Sequence, residues 1–205
     1  MNLTRNYGIV VPAVGLVFFL LAGCAGAPEQ REAVAPAEEP AEPAVVEYSR
    51  GDVGPAGGIV FYVDRRNEHE WTYLEAAPSG WYGDNGDPLF SWGEMGVETG
   101  ASGSALGTGS ENTAMIAQAP GDYAAKLVGG IEINGYNDWF LPSLEEIGEM
   151  YENLFRRQLG DLAREGYWTS TERTQDRAMV RNFDTAGQIS AQKMHENRVR
   201  PIRAF

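Results

Sequence analysis

The chain of 205 residues has one cysteine, Cys24, close to its N-terminus. A lone thiol closes no internal disulfide. Whatever folds downstream must therefore hold together by core packing alone. From residue 46 onward about 160 residues remain, enough to bury roughly 70% of the unfolded surface in one core.

The surroundings of Cys24 give it a specific expected role. Arg5 supplies a positive n-region, and Gly8 to Leu21 form an apolar run interrupted by Pro12. The run has the length of a signal-peptide h-region and is short for a membrane span. It ends in Leu21-Ala22-Gly23-Cys24, which resembles the bacterial lipobox. That resemblance implies cleavage before Cys24 and lipid attachment at its thiol and freed amine. The alternative is an ordinary signal peptide with a chance cysteine. Each buried methylene contributes about 0.8 kcal/mol to membrane binding, so several acyl chains anchor a protein stably. Ala25, where an aspartate would favour inner-membrane retention, points to the outer membrane or cell surface. A lipidated Cys24 leaves no thiol for a nucleophile or a thiolate metal site.

Residues 25–47 are expected to be a disordered stalk of Ala, Pro and Glu, with Pro28, Pro36, Pro40 and Pro43 spaced along it. Without aromatic residues or periodicity it cannot offset its ordering entropy, and its full reach is about 40–60 Å. The net charge of −13 is uneven. Residues 156–205 carry ten Lys or Arg against six Asp or Glu, so the remainder holds −17. An acidic whole argues against nucleic-acid partners, while the basic last quarter leaves room for an anion-binding face.

Residues 48–205 predict an α+β domain. Ile59–Val63 and Trp71–Ala76 read as strands joined by the charged turn 64–70. Residues 78–109 form a long loop rich in Gly, Asp, Asn and Ser, with Trp81, Tyr82, Phe90 and Trp92 along it. Ser110 is the expected cap of a first helix, and 122–128 a second. Ser143 and Glu146 have capping-box spacing for a third, whose Leu144, Ile147, Met150, Tyr151 and Leu154 form an apolar stripe. Strands are expected over 167–171, 178–183, 188–193 and 199–205, with hairpin chemistry at 184–187.

Several segments in order resemble the C-terminal domain of the Legionella collagen-like adhesin and its relatives. They are Gly54-Pro55-Ala56-Gly57-Gly58-Ile59-Val60-Phe61-Tyr62, Gly107-Thr108-Gly109 with Asn112-Thr113, and Gly135-Tyr136-Asn137-Asp138-Trp139-Phe140-Leu141-Pro142-Ser143. Tyr167-Trp168-Thr169-Ser170-Thr171-Glu172 and Arg198-Val199-Arg200-Pro201-Ile202-Arg203-Ala204-Phe205 complete the set. The resemblance implies a C-type-lectin-like domain with paired first and last strands and a long irregular loop region. It also implies sulfated polysaccharide as a ligand class. Trp139 and Leu141 become expected core anchors, and Gly57-Gly58 a place of close backbone approach.

An anion site needs converging arginines, because guanidinium groups grip sulfate or carboxylate bidentately. Arg173, Arg177, Arg181, Lys193, Arg198 and Arg200 are the candidates, with Trp81 and Trp92 as loop aromatics. The competing reading neutralises the cations with Glu172, Asp176, Asp184 and Glu196. Calcium stays open at Asp84, Asn85, Asp87 and Glu94 or at Asn137 and Asp138, though neither group has EF-hand spacing. No catalytic residue stands out. His69 and His195 are the only histidines, and neither lies in a nucleophile-elbow pattern.

The expectation is a membrane-anchored, non-enzymatic module that binds carbohydrate. An envelope protein partner is the alternative, and a hydrolase the weaker third class. Metabolic labelling with radioactive palmitate tests the anchor. Label is expected in the wild type and absent from Cys24→Ser, and labelling of that variant would contradict the assignment.

Overall fold

The computed structural model describes residues 46–205. The expected signal peptide, Cys24 and the expected stalk up to residue 45 lie outside the described residues. Val45–Phe205 forms one compact unit with an α+β architecture of three helices and eight strands in two sheets among the described residues. None of these helices is long and apolar enough to cross a membrane.

The first sheet contains β1 (Ile59–Val63), β2 (Tyr73–Ala76) and β8 (Ile202–Ala204), in the order β1-β2-β8 and antiparallel throughout. The first and last strands therefore do not pair as expected, because β2 stands between them. The reason is local. The short 64–70 turn folds β2 back onto one edge of β1, and the other edge is taken by Gly51–Val53. Gly58 permits this arrangement. A Cβ there would run into the Ala76 carbonyl oxygen and the Glu75 carboxylate.

The second sheet has the order β3-β7-β4-β5-β6. Its strands are β3 (Leu89–Ser91), β4 (Gly166–Thr174), β5 (Arg177–Asn182), β6 (Gln188–Gln192) and β7 (Glu196–Arg198). The expected closing strand 199–205 is thus shortened to β8, while β7, which ends just before it, belongs to this sheet, with Pro201, which has no N–H to donate, at the crossing. The 184–187 turn forms as read, with the Asn182 side chain accepting from the Asp184 and Thr185 amides.

The helices are α1 (Gly109–Ala117), α2 (Ala124–Gly129) and α3 (Leu144–Asn153). α1 starts one residue before Ser110, and Thr108 takes the cap position without a side-chain cap bond. α3 carries the full capping box. The Glu146 amide donates to Ser143 Oγ (3.2 Å), and the Ser143 amide donates to Glu146 Oε2 (2.6 Å). Burial raises the Glu146 pKa against the pull of the Ser143 and Gly107 amides. One core gathers Trp92, Trp139, Leu141 and Trp168 beside α1 and α2. The other gathers Phe61, Leu74, Ile147, Met150, Tyr167 and Phe183 between α3 and the sheets.

Two glycines should respond oppositely to alanine. Gly148→Ala, inside α3 with nothing within 4 Å of the new Cβ, should raise stability by roughly 0.4–1 kcal/mol. Gly58→Ala should lower it by more than about 2 kcal/mol. Urea unfolding followed by circular dichroism checks both, and equal effects would contradict the packing described.

Candidate functional site

Three cations of the C-terminal quarter, Lys193, Arg200 and Arg203, are buried inside the fold. Lys193 is buried: its Nζ donates to the Glu172 carboxylate and the Val97 carbonyl, and it sits 4.8 Å from the Trp92 ring centroid. Trp92 is itself buried and donates Nε1–H to the Thr169 carbonyl (2.7 Å). Arg200 is buried against Asp87 (2.5 Å) and donates to the Ala77 and Gly160 carbonyls. These three are corrections to the surface-site reading. An unpaired buried cation costs several kcal/mol, so each is closed off by carboxylates and carbonyls. Of the expected neutralising acids, Glu172 fills that role, whereas Asp87, Glu75 and Glu165 had no such role in the sequence reading.

The other candidates are scattered. Arg198 makes a two-pronged contact with Glu165 (3.0 and 2.9 Å) and donates to the Asp87 carbonyl. The Arg198 hydrogen bond holds the Glu165 carboxyl below the usual range. Arg177 bonds the side chain and carbonyl of Ser190. Arg173 is exposed. Trp81 is half-buried and donates to Asp87 (2.8 Å). Of the groups weighed for calcium, Asp87 also accepts Tyr167 Oη–H (2.7 Å), and Asp138 accepts from Arg203 (2.6 Å). No three His, Cys, Asp or Glu residues converge as a metal site among the described residues.

One surface does combine aromatic rings with guanidinium groups. After α3 the chain makes a 3-10 turn at Phe155–Arg157, and the segment that follows curls back to leave an open cleft of about 450 Å³. Tyr151 and Phe155 supply its aromatic wall over the buried Phe183, and Arg156, Arg164, Gln158, Asp161 and Asp184 its polar groups. Tyr151 and Phe155 stack at 5.4 Å and 24°. Arg181 lies 4.6 Å from the Tyr151 centroid, and its buried Nε has no hydrogen-bond partner among the described residues. It is the one expected anion ligand that packs against this wall. Arg156 and Arg164 are exposed and pair only at the surface, with Glu152 (2.6 Å) and Asp184 (3.6 Å). Such pairs are weak and exchange readily for a better anion.

The rim is held from below. Arg200 bonds the Gly160 carbonyl, and Tyr167 Oη accepts from the Ala163 amide (2.8 Å), so both tie 160–163 to Asp87. Burial, then the Asp87 carboxylate, pushes the Tyr167 phenol well above its ordinary value. The sequence reading missed Phe155, Arg156 and Arg164. Phe155 and Arg156 carry a signal, an aromatic residue followed by arginine just past the end of an amphipathic helix, and Arg164 carries none.

The Lys193–Glu172 pair makes a pH prediction. Burial works against ionising Glu172, but the Lys193 hydrogen bond and the Thr99 and Gly100 amides outweigh it and lower its pKa. Its stabilisation is therefore full above the ordinary value of 4.5 and is lost as pH falls through the lowered folded value. Lys193→Met should cost about 3–5 kcal/mol at neutral pH. Thermal melts across the acid range check both, and a neutral effect of Lys193→Met would contradict the buried pair.

No protein-family model matches the chain, and no curated protein matches it.

Proposed function

We propose that the protein is a lipid-anchored envelope component whose folded domain binds carbohydrate without catalysis, and that the cleft beside α3 receives a sulfated or otherwise anionic sugar. The observation that carries this reading is the pairing of the Tyr151–Phe155 wall with the exposed guanidinium groups of Arg156 and Arg164. Aromatic faces accept the C–H face of a sugar ring, and guanidinium forks accept sulfate or carboxylate oxygens. The lipid at Cys24 would hold the domain at the outer membrane or cell surface. The reading calls on no metal and no catalytic group. His69 is stacked on Trp71 at 4.3 Å, and His195 is exposed.

A second reading, an envelope protein partner, draws on the exposed apolar side chains of Ile189 (50%) and Met194 (60%) at and just past β6, an edge strand of the larger sheet. Crosslinking in intact cells that captures one defined envelope protein at this edge would favour it.

Titration of the full-length protein in detergent micelles with one oligosaccharide in sulfated and unsulfated forms tests the first reading. The sulfated form should bind, weaken with added salt, and lose about tenfold or more in affinity when Arg156 and Arg164 are both changed to Ala. Equal binding of the two forms, or an unaffected double variant, would count against it.

A further inference from the structure

A different aromatic surface lies at the β3 edge of the five-stranded sheet, and the arginine cleft makes no use of it. Tyr82 is 49% exposed, tilted against Trp81 at 5.4 Å and edge-on to Phe90 at 6.2 Å. Leu89, 45% exposed, extends the apolar area. Phe90 continues into a concavity of about 240 Å³ lined also by Tyr123, Leu127, Asp122 and Lys126. Neither the Asp122 carboxylate nor the Lys126 ammonium has a side-chain hydrogen bond or ion pair among the described residues.

The platform is rigid although its faces are open. Trp81 is fixed by its bond to buried Asp87. The Phe90 carbonyl accepts Trp168 Nε1–H (2.7 Å), and β3 pairs with β7 along its length. The Tyr123 carbonyl accepts the Lys126 and Leu127 amides (3.0 Å each) at the start of α2. One exposed ring beside half-buried ones held in place from behind, with unengaged polar groups next to them, has the makeup of a small-molecule site.

The charges set the ligand class. One carboxylate and one ammonium beside the rings supply an acceptor and a donor for hydroxyl groups. A neutral pyranose fits both halves of the surface. Its C–H face lies on the exposed Tyr82 ring with Phe90 edge-on beside it, a carboxylate accepts its hydroxyl protons, and an ammonium donates to its oxygens.

We propose that this surface is a second ligand site, taking a unit of a neutral saccharide on Tyr82 and Phe90 with its hydroxyls held by Asp122 and Lys126. It shares no lining residue with the arginine cleft and stands whether or not that cleft binds an anion.

The test uses the full-length lipidated protein in micelles. The probes are neutral tetrasaccharides of glucose, of N-acetylglucosamine and of mannose, followed by saturation-transfer NMR and titration. One of them should bind with transfer from the aromatic protons. Its affinity should fall about tenfold in Tyr82→Ala, fall in Asp122→Asn, ignore added salt and be unchanged in Arg164→Ala. Asp122 is exposed, so its variant carries the test if Tyr82→Ala fails to fold. Absence of binding by all three probes, binding that survives both variants, or binding lost in Arg164→Ala would overturn the proposal. The last result would place the sugar in the arginine cleft.

Discussion

The Asp87 carboxylate receives Arg200 Nε–H, Tyr167 Oη–H and Trp81 Nε1–H inside the domain, and several otherwise distant segments meet at it. Asp87 belongs to the long loop, Tyr167 to the central strand β4, and Arg200 to the link between the two sheets. Arg200 then reaches out to the Ala77, Gly160 and Asp161 carbonyls. A charge at such a place is tolerated only with its lone pairs and protons filled, and removing one partner leaves an uncompensated ion that costs about 3–5 kcal/mol. The network therefore fixes geometry as well as energy. It holds the loop that carries Trp81, and it holds the rim of the arginine cleft.

The same logic recurs twice. Glu75 accepts the Ala56 and Gly58 amides and Arg203, so the Gly54–Gly58 turn is wrapped around a buried carboxylate. Lys193 and Glu172 join the loop at Val97–Gly100 to β4. With no disulfide available, ion pairs that link loop to strand do the crosslinking. Arg203 is capped further by Tyr136, whose ring centroid lies 4.0 Å from its guanidinium carbon. A long irregular loop region is thus kept in one conformation by a few buried charges.

What was legible in the sequence was local. The capping box of α3, its apolar stripe, the β1–β2 hairpin and the Asp184–Gly187 turn depend on residues within a few positions of each other, and each forms where it was read. Trp139 and Leu141 lie in the core, as expected. The pairing of β8 with β2 was not legible, since it depends on which edges remain free after the hairpin and Gly51–Val53 have closed. The charges were misread for a related reason. A basic C-terminal quarter is visible, but Arg200 finds its acid 113 positions away, whereas Lys193 pairs with Glu172, one of the acids weighed as neutralising. The cleft residues were hidden because Tyr151 belongs to a helix stripe that reads wholly as core. Arg156 and Arg164 read as ordinary surface charge.

These observations divide the arginines into two populations, those buried in the fold and those exposed at the cleft we propose as an anion site. Proton–nitrogen NMR of the arginine Nε–H groups, recorded while inorganic sulfate is added, separates them in a single titration. The Nε–H signals of Arg156 and Arg164 should move with sulfate, while those of Arg200 and Arg203 stay fixed and exchange slowly with solvent. Shifts at Arg200 or Arg203, with Arg156 and Arg164 unmoved, would contradict the division and the placement of the anion cleft.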